Sequence, residues 1–175
     1  MSYSYGTDHS GFGPFVSDGV PSAGTSEVQT LTFGGTPTGG TFKINFEGFV
    51  TASITWSATN ATLVSNIDAA LEALGNVGTG GATTAVGTMT AGIGTINVTF
   101  AGNRVAQPVG LMTVDTNAMT GTSPTLAIAR TTAGVEGAHR GCPKGSLVID
   151  RTNGKLYINT GTPPAMTWTV VGTQT

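Results

Sequence analysis

The stretch EVQTLTFGGTPTGGTFKINFEG, residues 27–48, carries the alternation on which the fold rests. Leu31 and Phe33 share one face of a strand. Phe42, Ile44 and Phe46 share one face of a second, with Lys43, Asn45 and Glu47 opposite, because successive strand side chains point to opposite sides. The pairs Gly34-Gly35 and Gly39-Gly40 read as the loop that joins the two strands. Gly48 breaks the second strand, and Ile54 and Trp56 continue in a third, with Trp56 in the core. A helix follows over about residues 61–74, where Leu63, Val64, Ile67, Leu71 and Leu74 fall on one stripe and Asn66 and Glu72 lie off it. Thr59 or Asn60 is placed to cap its N-terminus, and Gly75 sits at C′. Beyond a Gly- and Thr-rich connection, Ile96, Val98 and Phe100 alternate with Thr95, Asn97 and Thr99. Val109, Leu111 and Thr113 form a further candidate strand, and Leu126 with Ile128 a last one. Short Gly-rich connections between consecutive strands predict antiparallel pairing, and the helix stripe predicts packing on a sheet face. The expected fold class is therefore α+β, mostly β and sandwich-like, with one amphipathic helix, over residues 27–134.

The flanks read differently. Residues 1–26 are rich in Gly, Ser and Pro and show no strand or helix period, which predicts an extended N-terminal arm that needs a surface to lie on. Its aromatic residues Tyr3, Tyr5, Phe12 and Phe15 suit either pockets on a partner or a cover over the chain's own sheet. Residues 135–175 comprise a linker and a terminal hairpin, GSLVIDRTNGKLYINTGTPPAMTW at 145–168. Leu147 and Ile149 alternate with polar neighbours, Asn153-Gly154 suits a type I′ turn, and Leu156 and Ile158 resume the alternation. A lone hairpin is marginal in water, so Trp168, Val170 and Val171 are expected to supply a third strand. Tyr157 and Trp168 are expected to pack between the hairpin and that strand, near the interface if the module trimerises.

Only 9% of the 175 residues are charged, against about 25% in an average domain, and that leaves little surface charge to keep a free monomer soluble. Permanent contacts with other subunits would relieve the deficit. Two basic and seven acidic residues precede Arg130, while five basic and two acidic ones lie from Arg130 onward, so the C-terminal part is suited to an acidic surface. No basic cluster is interleaved with aromatic residues, which argues against nucleic acid as a partner. The N-terminus lacks a secretory signal pattern and no apolar run approaches the ~20 residues of a membrane span, so a cytoplasmic origin without a membrane is expected.

Catalytic patterns are missing from the sequence. His9 and His139 lie far apart with no carboxylates at ligand spacing, which predicts no metal site. Cys142 has Arg140 and His139 nearby, as an activated thiol would, but without an orienting group it reads as an inert linker cysteine. The glycine pairs form neither GxGxxG nor a P-loop, and there is no GxSxG elbow or acid/base carboxylate pair. The chain is expected to be neither an enzyme nor a holder of cofactors.

The Glu-Val-Gln-x-Leu start at 27–31, Gly-Gly-Thr-Phe at 39–42, Trp-x-Ala-Thr at 56–59, Ala-Leu-Glu-Ala-Leu at 70–74 and Val-Thr-Phe at 98–100 resemble a domain recurrent in structural proteins of tailed bacteriophages. The resemblance spans Glu27 to roughly Gly134. Leu147, Asp150, Gly154, Leu156, Tyr157, Asn159, Gly161 and Trp168 resemble a second element, found near the ends of virion and fibre proteins. The resemblance implies a virion component assembled in the bacterial host cytoplasm. Together with the short chain, the low charge and the arm, it implies a decoration protein on the capsid surface that stabilises the head by bridging capsomers. The partners would be the major capsid protein and further copies in a homotrimer. Tyr3, Tyr5, Phe12 and Phe15 would contact the capsid, and Leu147, Leu156, Tyr157 and Trp168 would form the oligomer interface. The second expectation is a tail or head fibre whose terminal module binds host-surface glycans. A hydrolase acting on the host envelope is a third, disfavoured by the missing constellations.

Overall fold

Val28–Phe46 is a single 19-residue strand in the computed structural model, which describes residues 14–173. The elements are β1 (Phe15–Ser17), β2 (Val28–Phe46), β3 (Phe49–Val50), β4 (Ile54–Thr55), α1 (Asn60–Glu72), β5 (Ala82–Thr90), β6 (Ile93–Phe100), a 3₁₀ helix (Gly102–Arg104), β7 (Thr113–Thr132), β8 (Leu147–Asp150), β9 (Lys155–Asn159) and β10 (Trp168–Val170). The fold is α+β and mostly β, with mainly antiparallel sheets and one α-helix among the described residues, as expected. None of the described helices is long and apolar enough to cross a membrane.

The glycines that read as a hairpin loop lie inside β2 and bend it. The rings of Phe33 and Phe42 are 5.3 Å apart between centroids, whereas a straight strand would separate them by about 30 Å. β7 follows β2 through the bend, from Val28↔Thr132 to Asn45↔Thr113, with register shifts at Val28/Gln29, Gly34/Thr36, Pro37/Gly39 and Lys43/Ile44. Such bulges turn a strand and increase its twist. Gly35 and Gly40 take φ values of 74° and 86°, and a Cβ on either would run into a carbonyl of β7, that of Ser123 or of Ala118. Glycine is required here for close backbone approach, a use that the sequence does not distinguish from a turn.

The bend brings two arms of β2 face to face. The first pairs with β6 from Val28↔Thr99 to Phe33↔Gly94, and the second with β3 and β4. Leu31, Phe33, Ile96, Val98 and Phe100 from the first layer meet Phe42, Ile44, Phe46 and Ile54 from the second in one buried cluster. Phe46 stacks on Phe100 at 4.9 Å. Leu63, Ile67 and Leu71 of α1, all fully buried, complete the cluster from the expected stripe.

Several local expectations are corrected. Thr59 occupies the N-cap position of α1 without a side-chain bond. Asn60 instead ties the β5–β6 turn, donating to Met89 O (3.1 Å) and accepting from Gly92 N (2.9 Å). Gly75 is not the left-handed residue after the helix. The chain keeps turning so that Leu74 reaches the core, and it reverses at Gly78 with φ 73°. Val109–Met112 is not a strand. Its backbone is held by the side chains of Glu27 and Gln29: Val109 N donates to Glu27 (3.1 Å), Met112 N donates to Gln29 Oε1 (2.8 Å), and Gln29 Nε2 donates to Gly110 O (2.8 Å). β5, by contrast, lies in the stretch read as a connection. Only Ala82 of it is buried, so it has almost no alternation to read.

Gly24–Gly137 form one compact unit, and the segments on either side form the other. This differs from the expected division at 26 and 134, because residues 15–17 do not belong to a free arm. They form β1, which pairs in parallel with β8 (Phe15↔Val148, Val16↔Ile149, Ser17↔Asp150). The terminal sheet has the order β1-β8-β9-β10. The hairpin and its third strand lie where expected, with Leu147↔Ile158, Asp150↔Lys155 and Trp168↔Asn159 in register. The turn is different: Gly154 has a positive φ of 64° but Asn153 does not, so type I′ is ruled out. Asp150 builds the longer loop, accepting from Thr152 N (2.9 Å), Asn153 N (3.1 Å) and Asn153 Nδ2 (2.7 Å). These bonds hold its carboxyl below the usual aspartate range.

Two outcomes follow. Gly40→Val forces a side chain into the β7 backbone at positive φ and is expected to destabilise the larger unit by about 2–4 kcal/mol in chemical unfolding. Burial alone would raise the pKa of Glu27, but hydrogen bonds from Arg130, Val109, Gln29 and Gly134 outweigh it and hold the group below its ordinary 4.5. A lowered folded pKa stabilises above the unfolded value and loses that contribution as pH falls through the folded one. Glu27→Gln should therefore melt below the wild type at neutral pH, and the two melting temperatures should converge as pH drops below 4.5.

Candidate assembly surface

The strand register sorts the terminal unit's side chains onto two faces. Phe15, Val148, Tyr157 and Val170 form a row across one face, with Ser17, Asp150 and Lys155 beside it. The other face carries the row Val16, Ile149, Leu156 and, next to it, Leu147, Ile158 and Thr169. Val171 N donates to Leu156 O at 2.9 Å and extends the first of these rows.

The centre of the first face is covered, while Phe15 and Val170 on its edge strands expose 44% and 37%. Val148, Asp150, Tyr157 and Asn159 are buried on it, and Cys142 and Met166 are buried with them. Asn159 fastens the cover. Its Nδ2 donates to Cys142 O (2.9 Å), and its Oδ1 accepts from Gly161 N (2.9 Å) and Thr167 N (3.1 Å). Its backbone bonds Ser146 and Gly145 at 2.8 Å each. Every polar group of this buried amide side chain thus has a partner, so it stabilises the fold instead of weakening it. The His139 ring lies 5.1 Å from that of Phe15 and 6.1 Å from that of Trp168, and its burial lowers its pKa. Burial raises the Cys142 pKa despite a bond with Ser146, so the thiol stays protonated. No group of three or more His, Cys, Asp or Glu among the described residues is placed to hold a metal ion.

The second face is open and aliphatic. Val16, Leu147, Ile149 and Val171 expose 36–41% of their surface, and Leu156 and Ile158 are half-buried. No charged side chain lies in its rows. Just past the ends of β1 and β8, the exposed Asp18 and Arg151 pair at 2.6 Å, while Thr160 and Thr169 share a hydroxyl hydrogen bond of 3.1 Å at the other end. An apolar centre within a polar rim is the anatomy of a protein interface. Polar Asp150 and Asn159 share the inside with Val148, Tyr157 and Met166, while four branched aliphatics remain outside. Fully burying a Val, Leu or Ile is worth about 1.5–3 kcal/mol, so covering the exposed parts of these four side chains contributes about 3 kcal/mol per copy.

The sequence-derived site residues divide between the faces. Leu147 and Leu156 lie on the open one. Tyr157 is buried on the covered one, and Trp168, half-buried, lies on the same side, so the two aromatics close the unit's own core. Phe15 sits over the covered face beside His139. Tyr3, Tyr5 and Phe12 lie outside the described residues. Val16, Ile149, Ile158 and Val171 were missed as a group. The hairpin alternation already places Ile149 and Ile158 with Leu147 and Leu156, but only the β1–β8 pairing adds Val16. No protein-family model matches the chain, and no curated protein matches it.

Asn159→Ala removes one side chain that anchors three segments and is expected to cost about 2–4 kcal/mol, read as lost amide-exchange protection in β9. Ile149→Ser, on the open face, should cost less, about 1 kcal/mol, by the same measure.

Proposed function

We propose that the protein is a structural component of a tailed-phage particle, a decoration protein that binds the outer surface of the head and stabilises it by bridging capsomers. The observation that carries this reading is the aliphatic face of the terminal sheet, left uncovered by the described residues and bearing Leu147 and Leu156. The resemblance of residues 27–134 and of the terminal hairpin to phage structural elements supplies the setting. Further copies in a trimer would cover the open face, and the major capsid protein would receive the N-terminal segment with Tyr3, Tyr5 and Phe12.

The mechanism is mechanical. Each contact removes apolar surface from water at about 25 cal/mol per Å², and the cost of association, about 4–15 kcal/mol, absorbs most of what one open face returns. Contacts this weak become durable when one subunit makes several at once, as a shell of repeated sites permits.

Deleting residues 1–13 leaves β1 intact and removes the segment assigned to the capsid. Particles assembled with the shortened chain should lose it on washing, while full-length protein should stay at hundreds of copies per head. Full occupancy by the shortened chain overturns the assigned contact. A handful of copies per particle, with purified protein adsorbing to host cells, would assign a glycan-binding fibre instead.

A further inference from the structure

Among the described residues β7 pairs with β2 and with no other strand. An open strand edge presents unpaired N–H and C=O groups, and proteins guard such edges with lysines, prolines or inward-pointing charges. On the C-terminal half of β7 the guards are displaced. Pro124 follows Ser123, which has a φ of 48°, at the bend. Arg130 turns back to Glu27 at 2.8 Å and to Val109 O at 2.9 Å. Between these points, Thr125–Ala129 carries no charge.

The same five residues are sorted by face. Leu126 and Ile128 stand opposite Phe33 and Leu31 and pack against the core, yet they remain only partly buried. Thr125, Ala127 and Ala129 are exposed, with Ala127 opposite Thr32 on the outer face. The core therefore ends at β7 with two aliphatic side chains half-covered and a clear backbone edge beside them.

We propose that this edge pairs with the same edge of a second copy, antiparallel, about a two-fold axis at Ala127. Directly opposite residues in an antiparallel pair point to the same side of the sheet, so a two-fold contact that continues both cores must be centred on a residue. Centred on Ala127, it sets Leu126 of each copy against Ile128 of the other on the core side, Ala127 against Ala127 on the outer side, and Thr125 against Ala129. Each copy covers what the other leaves exposed. Centred one residue later, it would set Leu126 against Arg130 and disturb the ion pair with Glu27. The neutral edge also disfavours a charged strand, which would lose hydration against Leu126 and Ile128 without gaining a partner. The contact uses no residue of the terminal unit and does not rest on the virion reading.

The test uses the full chain with Cys142→Ser, which removes the single native thiol. Opposite residues in such a pair have Cα atoms about 4.5–5.5 Å apart, inside the ~4.4–6.8 Å range of a disulfide. Ala127→Cys should give a disulfide-linked dimer under mild oxidation, while Thr32→Cys, on the same face one strand inboard, should not. Ala127→Lys places like charges opposite each other and should at least halve the mass of the species seen in sedimentation, with an unchanged circular dichroism spectrum. The contact is overturned if Ala127→Cys yields no more dimer than Thr32→Cys, or if Ala127→Lys leaves the dimer fraction unchanged. A protein that is always monomeric, and whose Ala127→Lys variant loses particle binding, would give the edge to another protein's strand and equally overturn the two-copy contact.

Discussion

The larger unit depends on two backbones passing closer than a Cβ allows. At Gly35 and Gly40 the bent β2 lies against carbonyls of β7, and without that approach the strand could not fold back on itself. The bend makes one strand serve two layers, so Phe33 and Phe42 meet as neighbours in the core. Its cost is an open end. The chain from β6 to β7 must cross from one arm to the other, and over Val109–Met112 it has no strand partner. Glu27 and Gln29, both fully buried, supply the missing bonds through their side chains.

Most of the core was legible as alternation. Leu31, Phe33, Phe42, Ile44, Phe46, Ile96, Val98 and Phe100 are inward as their spacing predicts, and the stripe on α1 is buried as expected. What escaped the sequence has a physical cause in each case. Glycine pairs mark turns and close approaches alike, so a bent strand was read as two. Val109 and Met112 are apolar and buried, but their amides bond side chains, a choice no periodicity records. β5 is held by backbone pairing to β6 and has too few buried side chains to announce itself.

The terminal unit shows the same division. The hairpin register follows from alternation, and it correctly places Leu147 and Leu156 together. Which face of the sheet would be covered was not legible, because the cover consists of loops fastened by Asn159, a polar residue that a hydrophobic pattern assigns to solvent. Tyr157 and Trp168 are expected between the hairpin and its third strand, and the register places both on the covered side of that sheet; aromatic residues suit cores and contacts alike.

The parallel pairing of β1 with β8 also bears on the order in which the protein is made. β1 is synthesised before any strand of the larger unit, and β8 after all of them. Closing so long a loop costs only slightly more than closing a short one, since the entropy grows with the logarithm of length. Time is the greater constraint. During translation the larger unit can fold as soon as β7 has emerged, whereas Phe15 and Val16 must stay unpaired until the last part of the chain appears. The strand made earliest among those described is therefore one of the last to find its place, and the nascent chain is most exposed to misassembly with its neighbours at that stage.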